Sequence, residues 1–245
     1  MKKIALMIAA MLVMTSFNMS ANDAVAAGDN EDSDFEVSHP FKKDSENPKH
    51  WSLDFGGFYL GMGVKHNWDA INNSFEVGML DVISLNYNSL HGQQISLGAG
   101  IHHRSYSMKR PGMLMRDDHG VVSLDAYPSV NVDEIKDRSS NLNMWSVQFP
   151  LRFRQTIYKK LDVDVAGILM WNTYARVDNH YELNKTDHDI HFKGLKQNNV
   201  SFDFTASLTW DGTGIYCRYS PGKFFKEGFG PMIKETWTLG LAIVY

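Results

Sequence analysis

Asp187-His188-Asp189-Ile190-His191 holds the side chains in this chain that most resemble a metal-ligand set. Two imidazoles and a carboxylate suit a divalent cation. Zinc also needs a regular element to fix the spacing of its ligands, and none is evident here, so the stretch reads as a solvated polar loop. His102-His103-Arg104-Ser105 supplies a base and a nucleophile for a lipid hydrolase at a barrel rim, with a carboxylate to come from another strand. On a strand, however, His103 points to the opposite face from His102, and plain alternation near a strand end is the simpler reading. Pro221-Gly222-Lys223-Phe224-Phe225-Lys226 mixes lysines with aromatics, suiting either contact with lipopolysaccharide phosphates or a loop folded back on the interface. Cys217, the one cysteine, builds neither a zinc site nor a disulfide framework. No GxSxG, HExxH, phosphate loop or dinucleotide fingerprint occurs. The expectation is a protein without enzymatic activity, catalytic residues, bound cofactor or metal.

The elements that would carry these residues follow an address segment. Lys2 and Lys3 precede an apolar run from Ile4 to Val13, and Ala24-Val25-Ala26 follows, the layout of a secretory signal peptide over 1–26. Its removal takes away Lys2, Lys3 and Asp23, shifting the formal charge from −4 to about −5. Residues 27–50 are polar and read as a flexible periplasmic arm. The near balance of charge argues against a nucleic-acid binder, and no other apolar run is long enough for a membrane helix.

From Trp51 to Tyr245 the period is two, the strand signature. Trp145, Val147, Phe149, Leu151 and Phe153 alternate with Ser146, Gln148, Pro150, Arg152 and Arg154. Val200, Phe202, Phe204, Ala206, Leu208 and Trp210 alternate with Ser201, Asp203, Thr205, Ser207 and Thr209. Residues 95–101 and 237–245 repeat the rule, while 51–64, 75–88, 161–176 and 213–220 are shorter or interrupted. Asp81 lies in an apolar register and implies a bulge. The total is eight strands.

Their seven connections alternate in length: 65–74 is medium, 89–93, 158–160 and 211–212 are short, and 108–140, 177–197 and 221–233 are long. Short periplasmic turns, long extracellular loops and an even strand number describe an outer-membrane barrel. The fold expected is all-β, an eight-stranded antiparallel up-and-down transmembrane β-barrel over 51–245. Alternation alone also fits a soluble barrel or sandwich with its apolar face inward. Arg152, Arg154, Asp162, Asp164, Asp203 and Arg218 nevertheless form a charge-balanced set that fits a small polar lumen better than a solvated exterior, which turns the apolar face to lipid. Trp145, Trp171, Trp210, Trp237 and Tyr245 suit interfacial girdles. A lumen of eight strands is just wide enough for side chains to fill, so solute passage is not expected.

Ser96-Leu97-Gly98-Ala99-Gly100, Gln148-Phe149-Pro150-Leu151, Tyr219-Ser220-Pro221 and Gly230-Pro231 together resemble the PorT-like outer-membrane β-barrel domain family of Gram-negative bacteria. The resemblance runs from about Trp51 to Tyr245 and implies an eight-stranded barrel in the outer membrane, but no reaction. It also places a proline at Pro150, a tolerated bulge or twist site. Trp237 to Tyr245 looks like the terminal signal read by the barrel-assembly machinery. The expected partners are that machinery, outer-membrane lipid and lipopolysaccharide, and no nucleic acid. The expected role is structural or surface recognition in the envelope through extracellular loops. The alternatives are a lipid-modifying enzyme with a rim His/Ser/acid site, and a component of a secretion or envelope assembly.

Three register expectations are sharp. Asp211-Gly212 closes a two-residue type I′ hairpin, setting Trp210 opposite Thr213 and Thr205 opposite Arg218. Tyr158-Lys159-Lys160 forms a three-residue turn, with Ile157 opposite Leu161 and Arg154 opposite Asp164. Arg154 and Asp164 then pair in the lumen with Arg152 nearby, networked with Asp203 and Arg218.

Overall fold

The computed structural model describes residues 35–38, 50–89, 92–109, 112–127 and 135–243. The signal segment 1–26, most of the arm and Tyr245 lie outside these residues. The strands are β1 (Phe35–Ser38), β2 (Trp51–Asp54), β3 (Phe58–Lys65), β4 (Ile71–Asn88), β5 (Gln93–Met108), β6 (Gly112–Arg116), β7 (Val122–Ala126), β8 (Ile135–Tyr158), β9 (Leu161–Leu183), β10 (Thr186–Lys193), β11 (Val200–Trp210), β12 (Thr213–Ser220) and β13 (Thr236–Ile243). Eight of them close a ring in the order β3-β4-β5-β8-β9-β11-β12-β13, and β13 returns to β3. Every pairing in the ring is antiparallel. This is the expected eight-stranded up-and-down barrel, and β13 is the strand that closes it.

β2 and β3 are one line broken at Gly56 and Gly57, whose φ angles of 118° and 112° suit only glycine. β3 has β13 on its other side, but β13 pairs no further than Phe58. β1 pairs with β2 in parallel, Phe35 opposite Trp51. This piece of the supposed flexible arm is therefore a strand, because β2 offers unpaired backbone groups that favour pairing.

The hairpin at Asp211-Gly212 forms as the dipeptide requires: φ is 53° and 78°, and the register sets Trp210 opposite Thr213, Leu208 opposite Ile215 and Thr205 opposite Arg218. The turn between β8 and β9 differs slightly. Tyr158 pairs with Leu161 across Lys159-Lys160, and a bulge at Ile157 restores the expected register from Thr156 opposite Asp162 onward. A two-residue turn with Lys159 at φ 46° is as compact as the three-residue turn, and the bulge absorbs the extra residue. Opposite Phe149 and Pro150 the β5–β8 pairing lapses, because proline has no N–H to give, and resumes in the same register. The proline thus interrupts the ladder without shifting it.

The long connections correct the sequence reading. Residues 108–140 contain the β6–β7 hairpin and the start of β8, and 177–197 contain the end of β9 and all of β10. The cause is a reversal of polarity. Along β8, outward Leu151, Phe149 and Trp145 give way to outward Asn143 and Asn141, while inward Arg152, Gln148 and Ser146 give way to inward Met144 and Leu142. On β9, outward Val165, Leu169 and Trp171 are followed beyond a bulge at Thr173 by outward Arg176, Asp178 and His180, over inward Ala175 and Val177. The lower barrel is apolar outside and polar inside, the pattern of a transmembrane barrel. The upper part is built like a water-soluble protein. Leu161 to Trp171 rises roughly 33 Å along the strand and about 25 Å along the axis at a tilt near 40°, the height of a bilayer's apolar band. Trp210, Trp51 and Tyr87 ring one end of that band, and Trp145, Trp171 and Trp237 the other; all six are outward and exposed.

The expected irregularity at Asp81 is a register break between Met79 and Ile83 of β4. The bulged backbone leans inward over β5, and Gly98 and Gly100 make room for it. A Cβ at Gly98 would overlap the Asp81 carboxylate, and one at Gly100 would overlap the Met79 and Leu80 carbonyls. Gly100→Val therefore meets rigid backbone and should lower the unfolding free energy by about 3 kcal/mol or more. Urea titration of the refolded protein in micelles, followed by tryptophan fluorescence, measures this; an unchanged midpoint would refute the packing argument.

Candidate functional site

The lumen is filled by two arginine–carboxylate sets. In the middle, Arg104 Nη2 lies 2.6 Å from Glu76 Oε2 and 3.3 Å from Asp203 Oδ2, and Arg218 Nε lies 3.8 Å from Glu76 and 3.9 Å from Asp203. All four side chains are at most 5% exposed. Tyr216 donates its hydroxyl to Glu76 Oε1 at 2.8 Å, and Arg104 Nη1 donates to Ser220 Oγ at 3.0 Å. Arg218 Nη1 donates to His102 Nδ1 at 2.8 Å and to the Tyr59 hydroxyl at 3.2 Å, with its guanidinium over the Tyr59 ring. Tyr59 also hydrogen-bonds His102 Nδ1. A nitrogen facing two donors must accept, so the His102 proton sits on Nε2. Gln148 Oε1 accepts from Arg218, with the Tyr59 hydroxyl 3.2 Å away, while Gln148 Nε2 donates 2.7 Å to the Met79 carbonyl in the β4 bulge. Side chains from β3, β4, β5, β8, β11 and β12 thus meet in one hydrogen-bonded plug.

Nearer the short turns, Arg152 Nη2 lies 2.8 Å from Asp81, and Asp164 lies 3.1 Å from Arg154 and 3.6 Å from Arg152. The expected Arg154–Asp164 pair therefore forms, with Arg152 beside it. The expected link onward to Asp203 and Arg218 does not. Those two belong to the middle set, because their partners Glu76 and Arg104 reach them across the lumen rather than along the sheet.

Toward the rim an apolar cap closes the barrel mouth. Ile71, Tyr106, Leu114, Leu142, Phe224 and Ile233 are among its buried members. His66 closes one side, its Nε2 2.8 Å from Ser74 Oγ and its ring edge-on to Tyr106. Burial and the charge of Arg104 hold its pKa below the usual imidazole value. The Pro221–Lys226 loop folds back, but into the mouth rather than onto the interface. Phe224 and Phe225 are buried in the cap, Lys223 and Lys226 stay exposed, and Asn198 Nδ2 holds the Lys223 and Phe225 carbonyls.

The sequence candidates separate. His102 and Arg104 point into the lumen, whereas His103 packs at a tilt against Trp145 on the outer face, where Ser105 also lies. No base–nucleophile contact forms between His102 and Ser105 on opposite faces. Asp187 to His191 is not a loop but strand β10, paired with β9. There His180 meets Asp189 at 2.8 Å, His191 meets Asp178 at 2.9 Å, and His188 stacks on Tyr181. Among the described residues no group of three or more ligating side chains converges as a metal site. The histidines zip the β9–β10 extension. Cys217 is a free, half-buried thiol.

The plug makes a thermodynamic prediction. Glu76→Ala leaves two buried guanidiniums sharing Asp203, and should cost about 3–5 kcal/mol. Asp164→Ala should cost less, since Arg152 keeps Asp81. Adding Arg154→Ala to Asp164→Ala should restore about 1–3 kcal/mol, because the survivor is no longer unpaired. A double-mutant cycle from urea unfolding in micelles reads both; simple additivity would contradict the pairing.

No family model matches the chain and no curated protein matches it, so the PorT-like resemblance gains no support beyond the eight-stranded architecture. Two solved structures are similar over most of the chain. One is Ail, the attachment invasion locus protein of Yersinia pestis, at 12% identity and TM-score 0.31, covering 80% of this chain and 97% of that one. The other is the same protein in complex with the heparin analogue sucrose octasulfate, at 15% identity and TM-score 0.32, covering 78% and 99%. The likeness is distant, and the barrel described above rests on its own strand pairing.

Proposed function

We propose that this chain is a small, non-enzymatic β-barrel of the bacterial outer membrane, closed to solutes, whose role is structural or recognitive and is carried by the rim above the membrane. The reversal of polarity along β8 and β9 carries the reading: an apolar outer band about 25 Å tall, bounded by tryptophans, needs a bilayer to cover it. A secretory signal over 1–26 and a closing strand that ends at the periplasmic side suit export and insertion by the barrel-assembly machinery. Outer-membrane lipid covers the band, and lipopolysaccharide surrounds the upper barrel. The buried side chains of the plug and the cap support a closed lumen. The separation of His102 from Ser105 removes the geometric basis for the lipid-modifying alternative. Service in a secretion or envelope assembly is the remaining alternative, and co-purification of a partner from solubilised membranes would favour it.

Trypsin treatment of intact cells tests the placement. Exposed Lys185, Lys196 and Lys226 lie at the rim, and exposed Lys159 and Lys160 lie in a short turn at the opposite end. Cleavage is expected at the rim lysines alone until the membrane is opened; early cleavage at Lys159 or Lys160 would invert the orientation. In planar bilayers the purified protein should give no discrete conductance steps, and reproducible channels would refute the closed lumen.

A further inference from the structure

The upper outer surface is not uniform. β5 ends at Met108 while β8 continues upward to Ile135, so among the described residues a notch opens above the last β5–β8 pair, Ser107 opposite Asn141. The notch is a cleft of about 510 Å³ whose lining includes Asn72, Asn73, Ser107, Lys109, Arg138 and Asn141. Among the described residues no acidic side chain is in the lining. Arg138 sits in a bulge, since Asp137 and Arg138 are inserted between the pairs Lys136–Glu182 and Ser139–His180. Such bulges re-aim a side chain. Most other guanidiniums in this barrel meet carboxylates: Arg104 with Glu76, Arg152 with Asp81, Arg154 with Asp164, Arg176 with Asp178; Arg116 instead donates to the Lys193 carbonyl and lies over Phe192. Arg138 and Lys109 meet none among the described residues. Ser107 donates 2.6 Å to Asn141 Oδ1, which leaves the Asn141 amide nitrogen as a donor.

We infer that this cleft binds a phosphorylated sugar, with Arg138 and Lys109 on the phosphate and the three asparagine amides on the hydroxyls. Guanidinium and ammonium together match a phosphate group, and amides both donate to and accept from sugar hydroxyls. The height agrees. Asn141 lies four residues up β8 from Trp145, roughly 13 Å along the strand and about 10 Å along the axis. That is where the saccharide headgroups of an outer leaflet begin. The inference rests on the outer-membrane reading for its lipid source, but the cleft's chemistry would equally take a free phosphorylated saccharide.

The test uses the full refolded chain in uncharged detergent micelles and isothermal titration. The probes are the core oligosaccharide released from lipopolysaccharide with its phosphates intact, and the same oligosaccharide dephosphorylated. The phosphorylated probe should bind, weakening as salt rises, and the dephosphorylated one should bind at least about tenfold more weakly. Lys109→Ala with Arg138→Ala should lose about tenfold or more in affinity, whereas Lys193→Ala, outside the cleft, should not. Unchanged gel mobility of the unheated protein confirms that each variant is folded. Equal binding of the two probes, unaltered binding by the double variant, or no binding to oligosaccharide or to whole lipopolysaccharide in nanodiscs would overturn the inference. Tighter binding to embedded lipopolysaccharide identifies the leaflet as the source, and equal affinity identifies a soluble saccharide. Both support the cleft's assignment. Failure of the outer-membrane reading would show independently, as recovery of the chain outside the outer-membrane fraction.

Discussion

The buried plug around Glu76, Arg104, Asp203 and Arg218 is the interaction on which the barrel depends. An eight-stranded ring encloses a lumen that side chains must fill, and in this chain the filling is ionic. Two arginines face two carboxylates in the middle set, and two more face two in the set around Asp164. A buried charge without a partner costs several kcal/mol, so neutrality within each set is a condition of closure. The geometry also couples the strands. Glu76 on β4 reaches Tyr216 on β12, and Arg104 on β5 reaches Asp203 on β11. Each contact joins strands three places apart in the ring, so both need the sheet curled, and the Glu76–Tyr216 contact runs across the β3–β13 closure. They favour the closed ring over an open sheet with the same local pairings.

The second constraint is the solvent outside. Below Trp145 and Thr173 the apolar set faces outward and the polar set inward, the arrangement that suits a lipid surround. Above them the outer face is polar, as a water surround requires, and the apolar set turns inward to form the cap. A strand can change regime without changing direction by exchanging the residue types on its two faces, or by slipping one residue. This chain does both, since the β8–β9 register shifts between Trp145 and Ser146 at the plane where the polarity reverses. The cap then performs for the rim what the plug performs for the membrane-embedded part. Phe224, Phe225 and Ile233 from the last long connection seal the mouth that β6, β8 and β9 frame. The rim can thus stand as folded structure above the bilayer rather than as loose loops.

What the sequence made legible follows from these two regimes. Within the membrane band, alternation is strong and turns are short, so the ring strands, the Asp211-Gly212 hairpin and the Arg154–Asp164 pair could be read from position numbers alone. Above the band, the parts of β8 and β9 that fall inside 108–140 and 177–197 lack an apolar outward face, so the alternation rule reads them as loops. β10 was hidden for the same reason, its histidines and aspartates looking like ligands rather than strand partners. Glu76 and Arg104 were missed because no local spacing joins residues that meet across a lumen. The available signal was Glu76 itself, a charge in a strand next to exposed Phe75, and its demand for a cation within the ring.

Gly98, Gly100 and Gln148 show how the two levels join. The first two vacate space on the inner side of β5, the β4 bulge enters it, and the bulge carries Asp81 to Arg152 and the Met79 carbonyl to Gln148. Gln148 in turn accepts from Arg218. A backbone irregularity that would expose unpaired groups in a flat sheet is here satisfied by the plug. Conversely, the plug uses the bulge to link its two ionic sets through β4. The Ser96–Gly100 and Gln148–Leu151 stretches are therefore one structural unit: glycines admit the bulge, and the glutamine ties its backbone to the charges at the centre. Their joint requirement is steric and electrostatic, and it concerns closure of the ring rather than chemistry at a reactive site.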